Sequence, residues 1–193
     1  MNKPKYKNLF NVSNKNIVIP GGYGHLGSEV AKALLELNAN VIIIGRNEEK
    51  FNEVFYNEIK NDCKNLYFRN CDLRDETEVE ILFKKIIEQE GSIDSLFNTS
   101  IDLSERGVNL DLNKAQWQEG FDKTLNIYTN TIRFAIPGML INGGTIINNC
   151  SLFSFLSPNP KMHLDLRNEP PIYMPAAKGA ILQMTKYYAT ILA

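Results

Sequence analysis

The chain has 193 residues, 44% of them hydrophobic, and carries a net charge of −1. That length supports one domain spanning residues 1–193 with a sizeable core. The balanced charge excludes the electrostatic footprint of a nucleic-acid or anionic-membrane binder. With no run of 18 apolar residues, no membrane-spanning helix is expected.

The basic stretch Met1–Lys5 is followed by no apolar segment, so no secretory signal is expected and the chain reads as cytoplasmic. Its three cysteines, Cys63, Cys71 and Cys150, have no metal-ligand spacing. They read as reduced thiols, and no metal site is predicted.

Strand and helix patterns alternate along the chain. Asn16–Ile19 is a short apolar run closed by glycines and predicts a buried strand. Leu26, Val30, Ala33, Leu34 and Leu37 then recur at helical spacing. Val41–Ile44, β-branched throughout, predicts the second strand. A polar helix over 48–59 turns Phe51, Val54, Phe55 and Ile59 inward, and Leu66–Phe68 is the third strand. A helix over 79–87 follows, then a fourth strand at Ser95–Phe97. After a loop over 98–113, one long helix is predicted around 117–136, and Thr145–Ile147 is the fifth strand. The stretch 154–173 holds Pro158, Pro160, Pro170 and Pro171 and reads as a long loop. Pro175–Leu192 is the final helix, and it reaches Ala193 without a Gly, Asn or Pro to close it. The alternation predicts an α/β fold: a Rossmann-like, doubly wound parallel sheet in three layers.

The first strand runs into Gly21-Gly22-Tyr23-Gly24-His25-Leu26-Gly27, which opens a helix. A glycine-rich string in that context is a dinucleotide fingerprint. Gly21 allows the sharp turn, Gly24 lets backbone approach a pyrophosphate, and Gly27 lets helix and sheet pack closely. The helix N-terminus offers N–H groups and partial positive charge to phosphate. The plain alternative is a tight strand-to-helix turn without a ligand. After the second strand comes Gly45-Arg46-Asn47. An acid at that position would favour NAD. Arg46 is suited instead to the 2′-phosphate of NADP, the alternative being an exposed arginine without a role.

From Lys15 to Ala193 the sequence resembles the short-chain dehydrogenase/reductase family. Pro20–Gly27 is similar to its TGxxxGxG loop, with Pro20 for Thr and His25 for one Gly. Cys71-Asp72-Leu73 resembles the step where an Asp, here Asp72, contacts adenine. Ile93–Ile101 resembles D-x-L-V-N-N-A-G, retaining only Asn98 of the motif's two asparagines. The stretch 117–139 aligns with a W…N…PxM helix in which Thr124 stands for Asn. Gly143–Ser151 resembles G-G-x-I-V-N-I-S-S and places Ser151 at the catalytic serine. Pro175–Ala180 resembles the stretch that follows the catalytic tyrosine.

The resemblance implies NADP or NAD as cofactor and a small-molecule alcohol or carbonyl as substrate. It implies cofactor contacts from Gly21, Tyr23, Gly24, His25, Leu26, Gly27, Arg46, Asp72, Leu73, Asn98 and Lys178. Ser151 would hold the substrate oxygen, Tyr173 would act as acid–base, and Lys178 would lower the phenol's pKa and bind ribose. The Pro-rich segment resembles relatives acting on sugars in surface-polysaccharide synthesis. The family's usual C-terminal strand and substrate segment have no counterpart here, and a homo-oligomer paired through the long helices is expected.

The family spaces its Tyr and Lys four apart, on one helix face. Four residues before Lys178 stands Met174, and Tyr173 lies five before. Five helical residues rotate about 140° off the face, against about 40° for four. If Pro175 is the first helical residue, Tyr173 lies outside the helix and can swing inward. Otherwise it is an aromatic packed on the core. Lys178 could likewise face solvent, and Ser151 could be a plain strand-end serine. His25 and His163 read as loop or helix-end residues. Taken together, Met174, Thr124, the Thr99-Ser100-Ile101 departure and the short C-terminus also suit a non-catalytic module that binds a dinucleotide or a partner.

Overall fold

The computed structural model describes residues 10–101, 111–157, 159 and 170–193; His163, most of the Pro-rich segment and residues 102–110 lie outside them. The strands are β1 (Asn16–Pro20), β2 (Asn40–Gly45), β3 (Leu66–Asn70), β4 (Ser95–Asn98) and β5 (Thr145–Asn148). All pair in parallel, in the order β3-β2-β1-β4-β5. Consecutive strands run outward from β1 to β3, and the chain then returns to place β4 on the other side of β1. The order therefore reverses between β1 and β4, which opens a crevice beyond the strand ends.

The helices are α1 (His25–Glu36), α2 (Glu48–Val54), α3 (Tyr56–Lys60), α4 (Glu76–Glu90), α5 (Lys114–Asp122), α6 (Leu125–Met139) and α7 (Tyr173–Ile191). Two cores flank the sheet. One joins Val18, Ile42 and Leu96 to Phe83, Ile86, Tyr128, Ile132 and Ile181 of α4, α6 and α7. The other joins Ile17, Ile19 and Ile43 to Ala31, Phe51 and Phe55. The central strands β1 and β2 are buried on both faces, as their unbroken β-branched runs require. Edge strand β5 leaves Thr145 and Ile147 exposed.

Several boundaries differ from the sequence expectation. The polar helix over 48–59 divides at Phe55 into α2 and α3, and Ile59 is exposed. The helix expected around 117–136 divides at Lys123 and Thr124 into α5 and α6. Helix α4 begins earlier than the apolar pattern suggests, because Asp75 caps it by accepting from the amides of Thr77 and Glu78. Helix α1 buries Gly27, Ser28 and Ala31, packs Leu34 and Leu35 against the core, and leaves Leu26 exposed, as is Leu37 just after it. Helix α7 begins at Tyr173, two residues before Pro175. Tyr173 therefore belongs to the first helical turn and not to a free segment ahead of it.

Candidate functional site

The site is built around the turn from β1 into α1. Gly21 has φ +75°, a conformation that costs glycine nothing. The turn is held by bonds from the Gly21 amide to the Ile44 carbonyl and from the Gly24 amide to the Gly21 carbonyl, both 2.8 Å. Gly24 caps α1 without a side chain, so the amides of the first turn are left to the crevice. A Cβ on Gly27 would lie 2.7 Å from Gly22 Cα and 2.8 Å from Thr99 Oγ1, so only glycine lets α1 sit this close to the sheet. Thr99 secures the opposite wall, its hydroxyl donating to the Pro20 carbonyl at 2.9 Å.

Beyond these groups lies a cleft of about 470 Å³. Gly21, Tyr23, Gly24, His25, Leu26, Gly27, Arg46, Asp72 and Leu73, to which the family resemblance assigns cofactor contacts, all line it. Lys50, Arg74 and Asn149 line it too. Lys50 and Arg74 were absent from the sequence expectation. For Arg74 the available signal was its place two residues after Asp72.

At the outer end the Tyr23 hydroxyl accepts from the amides of Arg46 (3.1 Å) and Asn47 (3.3 Å). Its ring stands over Gly45, where a Cβ would come within 2.6 Å of ring carbons. Both carboxylate oxygens of Asp72 accept from Arg74, and Arg46 Nη1 lies 3.9 Å from Asp72 Oδ2. Hydrogen bonding from the Arg74 side chain, with the charges of Arg74 and Arg46, holds the Asp72 carboxyl below the usual carboxylate range. Among the described residues, three cations, Arg46, Lys50 and Arg74, thus border the cleft against one acid, Asp72. Beside them the Cys71 thiol is pushed up to about 12, first by burial and then by Glu78, Asp72 and Asp75. It is an inert neutral group at neutral pH.

Asn98, Ser151, Tyr173 and Lys178, the residues expected at the reacting end, are not among those that line the cleft. Asn98 is buried; its amide nitrogen donates to Asn148 Oδ1 at 2.9 Å, and its Oδ1 accepts from Thr131 at 2.8 Å. It ties β4 to β5 and α6. Ser151 caps a 3₁₀ turn over Leu152–Ser154, its oxygen accepting from the Phe153 amide at 3.2 Å. Tyr173 is buried with its ring against Gly120 of α5, where a Cβ would come 2.3 Å from the ring. Thr124, at the resemblance's Asn position, is buried and donates to the Gly120 carbonyl at 2.6 Å.

Lys178 turns inward and is only 3% exposed. Its Nζ donates to the Asn149 carbonyl at 2.6 Å and to the Tyr128 hydroxyl at 3.2 Å, and lies 4.8 Å from the Tyr128 ring centroid. Tyr128, fully buried on α6, donates in turn to the Asn149 carbonyl at 3.1 Å. Burial lowers the Lys178 amine to about 8 against a weaker opposing effect of Cys150. Burial also raises the Tyr128 phenol. Sequence reasoning missed Tyr128, whose position reads as an ordinary inward aromatic of an amphipathic helix.

Comparison with known proteins is consistent with this geometry. The family model described as short chain dehydrogenase matches residues 15–192. "Short-chain dehydrogenase reductase 5" of Arabidopsis thaliana is 29% identical over 147 residues, covering 73% of this chain and 54% of its own length. "Short-chain dehydrogenase reductase 3a" of the same plant is 29% identical over 182 residues, covering 91% and 64%. Among solved structures, that of gox2181 superposes with a TM-score of 0.80 at 20% identity, covering 93% of this chain and 67% of the other. The citronellol catabolism dehydrogenase of Pseudomonas aeruginosa gives 0.76 at 21% identity, covering 93% and 69%. The chain thus spans roughly half to two thirds of the length of these relatives.

Proposed function

Because this chain belongs to the short-chain dehydrogenase/reductase family, we propose that it binds NADP(H) in the glycine-loop cleft and interconverts an alcohol and a carbonyl. The observation that carries this reading is the cleft itself. It sits at the switch point of a parallel sheet, with uncapped amides of α1 at its centre and Arg46, Lys50 and Arg74 bordering it. The residues fit a dinucleotide: Gly27 has no room for a side chain against Gly22 and Thr99, so backbone alone faces the pyrophosphate position. The excess of cations favours the 2′-phosphate of NADP over the bare ribose of NAD.

Bound there, a nicotinamide dinucleotide supplies the hydride. The chain's own groups bind, orient and move the proton. Arg46 would hold the 2′-phosphate, and Asp72, restrained by Arg74, would contact the adenine. Asn98 fixes the relation of β4 to β5 and would support the cofactor and the site. Ser151, whose oxygen already accepts from Phe153, donates its proton to the substrate oxygen. Tyr173 is the acid–base, and Lys178 supports it and the ribose. The sugar-type substrate rests on the Pro-rich stretch of sequence, and pairing of copies through the helices holding Trp117 and Lys178 rests on the family.

A second reading has specific support. The Tyr173 ring is packed on Gly120, and Lys178 is engaged by Tyr128 and Asn149. Both suit a module that binds the dinucleotide without turning it over. NADPH oxidation against a panel of carbonyl compounds decides between the two. Turnover that Tyr173→Phe abolishes supports the enzyme with Tyr173 in its role. Turnover retained in Tyr173→Phe removes that role, binding without turnover supports the module, and the absence of NADPH binding defeats both.

A further inference from the structure

In the resemblance on which the proposed function rests, the lysine's phenol stands four residues before it on the same helix. Here Met174 occupies that position, and the phenol hydrogen-bonded to Lys178 comes from another helix. We propose that Tyr128 is a positioning residue that holds the Lys178 ammonium against the Asn149 carbonyl, at the inner end of the dinucleotide cleft.

Three bonds close the arrangement into a triangle. Lys178 donates to the Asn149 carbonyl (2.6 Å) and to the Tyr128 hydroxyl (3.2 Å), and Tyr128 donates to the same carbonyl (3.1 Å). Asn149 lines the cleft, as does Ile127, the residue next to Tyr128. Lys178 therefore stands one residue behind the cleft wall. The Tyr128 ring lies beside the ammonium, adding a cation–π attraction to the hydrogen bond. A long, flexible side chain is thereby fixed from two elements, α6 and the end of β5, in a place where its charge is costly to bury. Among the described residues, the titratable groups acting on Lys178 are Tyr128 and Cys150. No carboxylate is among its assigned hydrogen-bond or electrostatic partners. Together with Cys150, the Tyr128 oxygen and the Asn149 carbonyl stabilise its charged form, so losing the hydroxyl makes the amine easier to deprotonate.

The test reads the lysine directly and the ligand separately. Competitive acylation of the folded protein, quantified at the Lys178 peptide, gives the amine's titration midpoint. In the wild type, labelling at Lys178 should rise with pH to a midpoint near 8. Tyr128→Phe should lower that midpoint by about one pH unit. It should also weaken NADPH binding about fivefold, with adenosine 2′,5′-bisphosphate, which lacks the nicotinamide end, bound as before. An unchanged midpoint in a folded Tyr128→Phe protein overturns the proposal, as does equal weakening of both ligands. If that variant does not fold, a wild-type Lys178 midpoint at the ordinary 10.5 overturns it alone. If neither ligand binds, the proposed function fails, and the labelling midpoint still decides whether Tyr128 governs Lys178.

Discussion

Single side chains here are constrained by where charge and bulk can go. A Cβ at Gly27 has backbone on one side and the Thr99 hydroxyl on the other. Gly27→Ala is therefore expected to cost about 1–3 kcal/mol by overpacking, read as a lower urea midpoint, and to weaken NADPH binding as well. Lys178 carries a pH signature. Its amine titrates near 8 in the folded chain against the ordinary 10.5. Between those values the unfolded state holds more protons, so the stability contributed at this position rises with pH. The penalty for burying the charge is fully present below pH 8 and is relieved above it. From pH 7 to 9.5 the wild type should gain stability relative to Lys178→Met, as measured by urea unfolding of both. A constant difference across that range counts against a buried, readily deprotonated amine.

At the scale of elements, side-chain caps set where several helices begin. Asp75 satisfies two amides at the start of α4, so Asp75→Ala should destabilise the protein by about 1 kcal/mol, seen as a lower urea midpoint with little change in NADPH affinity. An unchanged midpoint would mean the cap is replaced by solvent at no cost. The break between α5 and α6 has another cause. The Thr124 hydroxyl bonds back to the Gly120 carbonyl, and Thr124 adopts φ −129°, ψ −66°. No Gly or Pro stands at Lys123-Thr124 to announce it. A threonine compatible with an unbroken apolar pattern gives no boundary signal, which is why one helix is expected where two form. The start of α7 at Tyr173 was hidden in the same way. The Pro-Pro pair ahead of it and Pro175 within it make either start locally acceptable, and packing of the Tyr173 ring on Gly120 accompanies the earlier one.

For the whole molecule, a ligand held by the native cleft and not by the unfolded chain must raise stability. NADPH at one hundred times its dissociation constant should add about 2.7 kcal/mol, raising Tm by about 5–10 °C in a chain of this size. A scan with NADH at equal concentration should show the smaller shift, given the cations at the cleft's outer end. An equal or larger NADH shift would remove the preference for NADP. Sedimentation at micromolar concentration should show a dimer or larger species, and a monomer would count against pairing through the long helices.

The sequence by itself determined the sheet, its parallel sense and the phosphate loop, because these depend on local signals. Unbroken β-branched runs have to be buried on both faces, and glycines are needed where backbone meets backbone. It also marked Arg46, just beyond the second strand, and through the family resemblance Asp72 and Leu73; all three line the cleft. Only the tertiary structure decided what surrounds the reacting end. Tyr128 and Lys178 lie 50 residues apart and meet through the packing of α6 against α7 and β5. Tyr173, five residues from Lys178, turns instead onto Gly120 of α5. Spacing along one helix fixes which residues share its face. Which neighbour each face meets depends on how separate helices are laid on the sheet, and no local pattern in this chain encodes that.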